Sequence, residues 1–349
     1  MWLAKLKYLA VIIIPVATYA SINTSGWWTW GHIAYMLVIL PLAEIALGRF
    51  ESNFDEEEIS QANKDLWYDF ILYLQVPVQY GFLYYFLDHI ATTENTMVSL
   101  LGKMTGMGLM SGVIAINAAH ELGHRDQVHE KFMSKLLLLS TLYLHFYIEH
   151  NRGHHKNVGT REDPATARYG ENIYSFWIRS LVYSYLSAWK IENQRLRVSG
   201  LKPWSMQNQM LQFQLIQAAL ILLVYYAFGM IGVWGLLGSS LFGIILLETV
   251  NYIQHYGMLR ALKQNGQYEK VNVNHSWNSA FPIGRVLLFE LARHSEHHFI
   301  STTKYQVLKH SDTSPQMPTG YTGMITMALI PPIWFRVMNP LVRKFNPIN

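Results

Sequence analysis

The sequence predicts an all-α, polytopic membrane protein: about six transmembrane helices, interfacial helices, and a cytoplasmic histidine-rich catalytic region. Three observations carry this. Of 349 residues, 51% are hydrophobic and only 14% charged, about half the charge of an ordinary soluble domain. Six apolar stretches reach the roughly 20 residues needed to cross a hydrocarbon core. Fifteen histidines stand in a chain otherwise poor in ionisable groups, and there is no cysteine. That absence excludes a disulfide framework, a thiolate zinc site, an iron–sulfur cluster and a cysteine nucleophile, so any metal must be held by nitrogen and oxygen. The mild net charge of +4 reads as membrane-surface bias rather than nucleic-acid binding.

The spans fall near 7–22, 27–47, 67–89, 98–119, 210–228 and 231–254, within one integral-membrane domain covering 1–349. Lys5 and Lys7 ahead of the first apolar run imitate a signal peptide, but the turn at 21–28 leads straight into a second span, which favours a hairpin. The connections 22–27, 90–97 and 229–231 contain no Lys or Arg and are expected outside. Both termini, the 48–66 loop and the regions 120–209 and 255–349 are then cytoplasmic. Residues 133–148 are also apolar. A crossing there would put His150 about 30 Å from His120, so the segment reads as an interfacial helix. So does 172–198, where Trp177, Leu181, Tyr185 and Trp189 alternate with Arg179, Lys190, Arg195 and Arg197.

Histidines cluster just past apolar segments: His120 and His124; His150, His154 and His155; His255 alone; His294, His297 and His298. Spacings of three and four place imidazoles on one helical face, as a shared metal ion requires. On that rule His120 pairs with His124, His150 with His154, and His294 with His297 and His298. His32, His89, His275 and His310 stand alone and read as interfacial side chains that snorkel, while His129 and His145 read as hydrogen-bonded structural residues. Nine imidazoles exceed what one ion accepts, so the count implies two. Imidazole suits zinc, copper, iron and nickel alike. Carboxylates behind the ligands should orient them and offset the charge, and Glu121, Glu149, Asp163, Glu248 and Glu296 are the candidates, with Asn117 one turn before His120. Glu248 stands out as an ionisable group inside an apolar span.

The motifs resemble those of the integral-membrane alkane 1-monooxygenases: His-Glu-Leu-Gly-His-Arg at 120–125, Glu-His-Asn-Arg-Gly-His-His at 149–155, Asn-Tyr-Ile-Gln-His-Tyr-Gly at 251–257 and Leu-Ala-Arg-His-Ser-Glu-His-His at 291–298. Histidine boxes alone are shared with membrane desaturases and sterol hydroxylases; the 251–257 segment points to the alkane and xylene hydroxylase branch. The resemblance implies two non-haem iron ions, O₂ as oxidant, and hydroxylation of the terminal carbon of a medium-chain n-alkane to a 1-alkanol. It also implies electrons from rubredoxin and its reductase, and a place in a bacterial inner membrane. A desaturase or an aromatic-methyl (xylene-type) hydroxylase is the near alternative. A metal transporter or a zinc hydrolase would be a different class; transport would spread ligands through the depth of the spans, whereas these collect at their cytoplasmic ends. An alkane channel between the fourth and sixth spans would be walled by Leu109, Val113, Ile116, Leu241 and Ile244. An acidic electron donor would dock on Arg152, Lys156, Arg161, Arg293, Lys304 and Lys309.

Overall fold

The computed structural model describes residues 5–346 and is built from helices, with no β-strand among the described residues; the extreme termini, expected to be cytoplasmic, lie outside them. Apolar helices occupy all six expected stretches. They are α1 (Lys7–Asn23), α2 (Gly26–Leu47), α3 (Leu66–Thr92), α4 (Met97–Gly123) and, after α5 (Val128–Ser140) and α6 (Ile173–Val198), the 47-residue α7 (Gln209–His255). At 1.5 Å per residue α7 would run about 70 Å, more than twice the hydrocarbon core. Gly229, with φ +68°, breaks it into two arms at the expected place. Side-chain caps start the helices: Ser99 N donates to Thr96 Oγ1 at α4, Ser175 N to Asn172 Oδ1 at α6, and Met210 N to Asn208 Oδ1 at α7.

The centre of the bundle is the crossing of α4 with the second arm of α7. Gly108 and Gly112 meet Ser239 and Gly243 with backbones nearly touching: a Cβ on Gly108 would stand 2.8 Å from the Ser239 carbonyl, and one on Gly243 3.1 Å from the Gly108 carbonyl. Lipid offers no hydrophobic drive between helices, so small residues that admit close van der Waals contact hold such a pair. The consequence is positional. His120 near the end of α4 and His255 at the end of α7 emerge at one face of the bundle.

Two segments depart from expectation. Residues 133–148 are not one interfacial helix: α5 stops at Ser140, the chain reverses through Leu142 at φ +54°, and a new helical segment begins at Phe146. Thirteen residues of α5 reach about 20 Å, too short to span. The C-terminal third, expected to be wholly cytoplasmic, contains α8 (Tyr321–Ala328) and α9 (Pro331–Phe345), an apolar pair bent by 120° as in a broken span or re-entrant loop.

Two buried carboxylates with no local signature clamp this end of the molecule. Glu44, near the end of α2, accepts from Gly284 N (3.1 Å) and Thr322 Oγ1 (2.7 Å), joining α2 to the 282–287 helix and to α8. Gly320 is required beside it, because a Cβ there would overlap the carboxylate. Glu290, 2% exposed, accepts from Lys7 Nζ (2.6 Å), Tyr8 Oη (3.1 Å) and Arg285 Nε (2.7 Å). Phe289 and Glu290 both adopt left-handed backbone, φ +46° and +55°, a conformation costing non-glycine residues about 1–3 kcal/mol each. The ion cluster holds that turn in place, four residues ahead of His294.

Burial would raise Glu290, but Lys7 and Arg285 beside it hold it at about 2, against 4.5 for an ordinary glutamate. A depressed carboxylate adds stability that is full above pH 4.5 and lost as pH falls toward 2; the shift corresponds to about 3 kcal/mol. Glu290→Gln should therefore unfold at lower temperature at pH 6, and its loss of stability between pH 6 and pH 3 should be smaller than that of the unaltered protein. Equal pH dependence in thermal unfolding would contradict this.

Candidate metal centre

Four segments deliver the nine predicted histidines to one place. His120 and His124 come from the end of α4, His150, His154 and His155 from residues 146–157, His255 from the last residue of α7, and His294, His297 and His298 from the short helix His294–Phe299. They form two groups in which the ligating atoms all lie within 4.8 Å of one another. One holds His120, His124, His150, His155 and His297; the other holds His154, His255, His294 and His298. Neither contains a carboxylate.

This partition corrects the spacing rule. His150 does not share a group with His154 but with His155, their Nε2 atoms 3.0 Å apart. The reason is a π-turn over His150–His154: the wider turn brings residue i+5, rather than i+4, back to the first, and such turns recur at functional sites. His297 likewise parts from His294 and His298. The last two, one turn apart, approach to 2.9 Å, while His297 leaves the same helix about 100° away and joins the other group.

The donors fit metal ions. Nε2 atoms of His124 and His150 lie 3.2 Å apart, and those of His255 and His294 3.0 Å apart. Imidazoles bound at about 2.1 Å to one ion place their nitrogens about that far from each other. Nε2 of His120, His154 and His297 are buried with no hydrogen-bond partner, an expensive state unless something else takes the lone pair. Burial first, and then crowding by neighbouring imidazoles, holds His150, His155, His294, His297 and His298 well below the usual histidine range. All are thus neutral at pH 7, the form that ligates.

Among the carboxylates expected behind the ligands, Asp163 alone touches one. His154 Nδ1 lies 2.9 Å from Asp163 Oδ2 and donates to it, and Thr166 Oγ1 donates to the same oxygen at 2.5 Å. That leaves Nε2 of His154 for a metal, the carboxylate–histidine arrangement that fixes tautomer and ring angle. Burial alone would raise Asp163, yet the His154 ring and these hydrogen bonds hold it below the usual carboxylate range. Glu149 and Glu248 are buried near His154, but neither hydrogen-bonds an imidazole; Glu248 accepts from Tyr143 Oη (2.9 Å) and Ser180 Oγ (2.5 Å), tying α7 to α6. Burial, and then Asp163, lifts Glu149 to about 8. Glu121 departs from its expected place: it pairs with Arg125 at 2.7 Å and accepts from Tyr305 N, in a network that also holds Asp69. Glu296 is half-buried near Lys309 and Arg293 and bonds no imidazole.

A narrow apolar slot of about 70 Å³ approaches the histidines. Its walls include Leu109 and Val113 of α4, and Asn117, whose Nδ2 is buried without a partner, stands at its inner end. The other expected wall residues are elsewhere. Ile116 is packed in the core, Ile244 sits beside it outside the slot, and Leu241 is 54% exposed on the lipid side. Leu246, Leu247 and Val250 line it instead, a rotation of about half a turn around α7. Sequence periodicity also missed Ile14 of α1, Met36 and Leu40 of α2, and Ile325 of α8. Local spacing carries no sign of which distant helix closes a pocket.

Of the expected docking residues, Arg152, Lys156, Arg161 and Lys309 are exposed. Arg293 is buried, its guanidinium donating to Leu308 O, Asn53 Oδ1 and Ser52 O, and Lys304 is bound to Asp69. Both are structural. His32, His275 and His310 do not snorkel: each is buried, with His275 paired to Glu269 and His310 beside Asn278. Exposed His129 meets Tyr73 at hydrogen-bond distance, as expected, whereas His145 is packed between Tyr143 and Tyr185 with its Nε2 buried and not hydrogen-bonded.

The fatty acid desaturase family model matches residues 94–326, from the start of α4 into α8, and so encloses all nine histidines. The chain is 39% identical to alkane 1-monooxygenase 1 of Pseudomonas aeruginosa over 92% of its length and 84% of that protein's. It is 38% identical to an alkane 1-monooxygenase of Pseudomonas putida, over 92% and 80%. The chain belongs to the alkane 1-monooxygenase family. It is thus a membrane-integral, metal-binding monooxygenase. The xylene/toluene monooxygenase hydroxylase component of Pseudomonas putida is more distant, 28% identical over 98% of this chain and 90% of that one.

Two groups of ligands should lose metal separately. Ala at His255 or His298 should remove the ion of the four-histidine group and leave bound metal at about half the original content, as should Ala at His124 or His155 for the other. Asp163→Asn, which removes the anchor of His154, should lower affinity at the four-histidine group 10–100-fold. Metal analysis after dialysis checks both; loss of all metal from every variant would show one indivisible centre.

Proposed function

We propose that this enzyme is a di-iron, non-haem monooxygenase that converts medium-chain n-alkanes to 1-alkanols with O₂ and electrons from rubredoxin, at the cytoplasmic face of a bacterial inner membrane. The observation that carries the reading is an apolar slot ending one helical turn from His120, beside nine imidazoles divided five and four. When bound, the irons activate O₂: with two electrons and two protons, one oxygen atom enters a C–H bond and the other leaves as water. A terminal C–H bond has no acidic proton and no leaving group, so acid–base or nucleophilic side chains offer nothing to it.

What the chain's own residues contribute is position and dryness. An alkane has no polar handle, so only the shape of the slot can select its end. Leu, Ile and Met walls hold the chain in single file and exclude water. Asn117 Nδ2, buried without a hydrogen-bond partner, would donate to the oxygen of the alcohol as it forms. The narrowness of the slot favours an unbranched chain over an aromatic ring, and with it the alkane reading over a xylene-type one. Arg152, Lys156, Arg161 and Lys309 remain as the exposed cations to steer an acidic rubredoxin.

Three measurements test this. Protein purified without added metal should contain iron and support rubredoxin-dependent NADH consumption when given an n-alkane; zinc in place of iron would remove the oxygenase reading. Val113→Trp should abolish turnover of hexadecane while octane is still hydroxylated, whereas Leu241→Trp, on the lipid side, should leave the chain-length profile unchanged. If Val113→Trp lowers turnover equally for every length, the slot does not hold the substrate. Charge reversal at Lys156 and Arg161 together should raise the KM for rubredoxin severalfold, and added salt should do the same to the unaltered enzyme.

A further inference from the structure

A second cavity, of about 240 Å³, opens between the start of α1, the 50–54 loop and the 282–293 segment. Four of its lining residues carry charge: Lys7, Arg285, Arg293 and a lone anion, Glu290. Lys7 and Arg285 share that carboxylate at 2.6 and 2.7 Å, and Arg293 Nε stands 3.7 Å from it, buried and without a hydrogen-bond partner. The balance is three positive charges to one negative. Such an excess in a partly buried place is costly unless an anion completes it.

The cavity does not end there. Lys7, Pro282 and Val286 also line an apolar groove of about 350 Å³ that follows α1 and α2 along the bundle. A cationic cup thus opens directly into a hydrocarbon-lined channel, at the level where α1 begins and α2 ends. An anionic amphiphile has both halves in that order, and a membrane supplies it chiefly as phospholipid.

We propose that this composite cavity is a binding site for an anionic phospholipid. Its phosphate sits among Lys7, Arg285 and the free Nε–H of Arg293, and one acyl chain lies along Ile283 in the groove. Charge complementarity selects the headgroup, and the apolar lining selects the tail. The groove shares Tyr35, Leu40 and Leu287 with the slot near the histidines, so the seated acyl chain borders it. The proposal rests on these two cavities and not on the oxygenase reading.

Native mass spectrometry of the full-length protein in neutral detergent tests it. The probes are dioleoyl phosphatidylglycerol, dioleoyl phosphatidylcholine and inorganic phosphate. The expected result is one phosphatidylglycerol per chain, held at least tenfold more tightly than phosphatidylcholine and not displaced by millimolar phosphate. Lys7→Gln, which weakens the cup, and Ile283→Trp, which fills the groove, should each lower phosphatidylglycerol affinity tenfold or more while bound metal is retained. Equal affinity for the two lipids overturns the proposal. So does displacement by phosphate together with full phosphatidylglycerol affinity in Ile283→Trp, which would mark a plain anion site. Should either variant lose its metal, the lipid comparison and the phosphate competition on the unaltered protein still decide.

Discussion

Nine imidazoles must share one buried place at a membrane face with no carboxylate among them. Each is desolvated, most keep a nitrogen that no protein group satisfies, and nothing in the immediate shell offsets the charge of an incoming ion. The surrounding structure answers these demands. The glycine crossing of α4 and α7 brings His120 and His255 out side by side, because two helices of ordinary side chains would stand further apart. The anchor for His154 comes from outside the membrane helices, as Asp163 on the loop after the second histidine segment. The negative charge that an ion would call for is thus present, displaced one layer outward, where it can also receive hydrogen bonds from Thr166 and Ala165.

The fourth histidine segment has no long helix to ride on. His294–Phe299 is six residues long, too short to be stable by itself, so its position is imposed from both sides. Upstream, Glu290 gathers Lys7, Tyr8 and Arg285 around a left-handed turn; Arg293 fastens the helix start to the 52–53 loop and to Leu308. A residue read from sequence as a docking cation is in fact a rivet. Charged groups near a metal face serve two ends, and burial decides which.

Much of the fold was legible because membrane helices announce themselves by length and hydropathy, and Gly229 fell where two spans were expected to meet. The nine histidines were legible for a related reason: imidazoles are conspicuous among apolar residues. Their division into five and four was not. It depends on a π-turn at His150, and a rule built on 3.6 residues per turn has no way to signal one. Nor did single acids such as Glu44 and Glu290 leave a pattern, since Gly284 and Thr322 at Glu44, and Lys7 and Tyr8 at Glu290, lie more than 200 residues away in sequence. The slot walls failed for the same reason on α7, where a shift of two or three residues turns the face from lipid to interior.

Two backbone segments feed both groups: residues 150–155 send His154 one way and His150 and His155 the other, while His294–Phe299 sends His297 opposite to His294 and His298. A rotation of either segment therefore moves ligands of both groups at once. The two ligand sets share their backbone support, and a displacement at one is carried to its neighbour without any side chain passing between them.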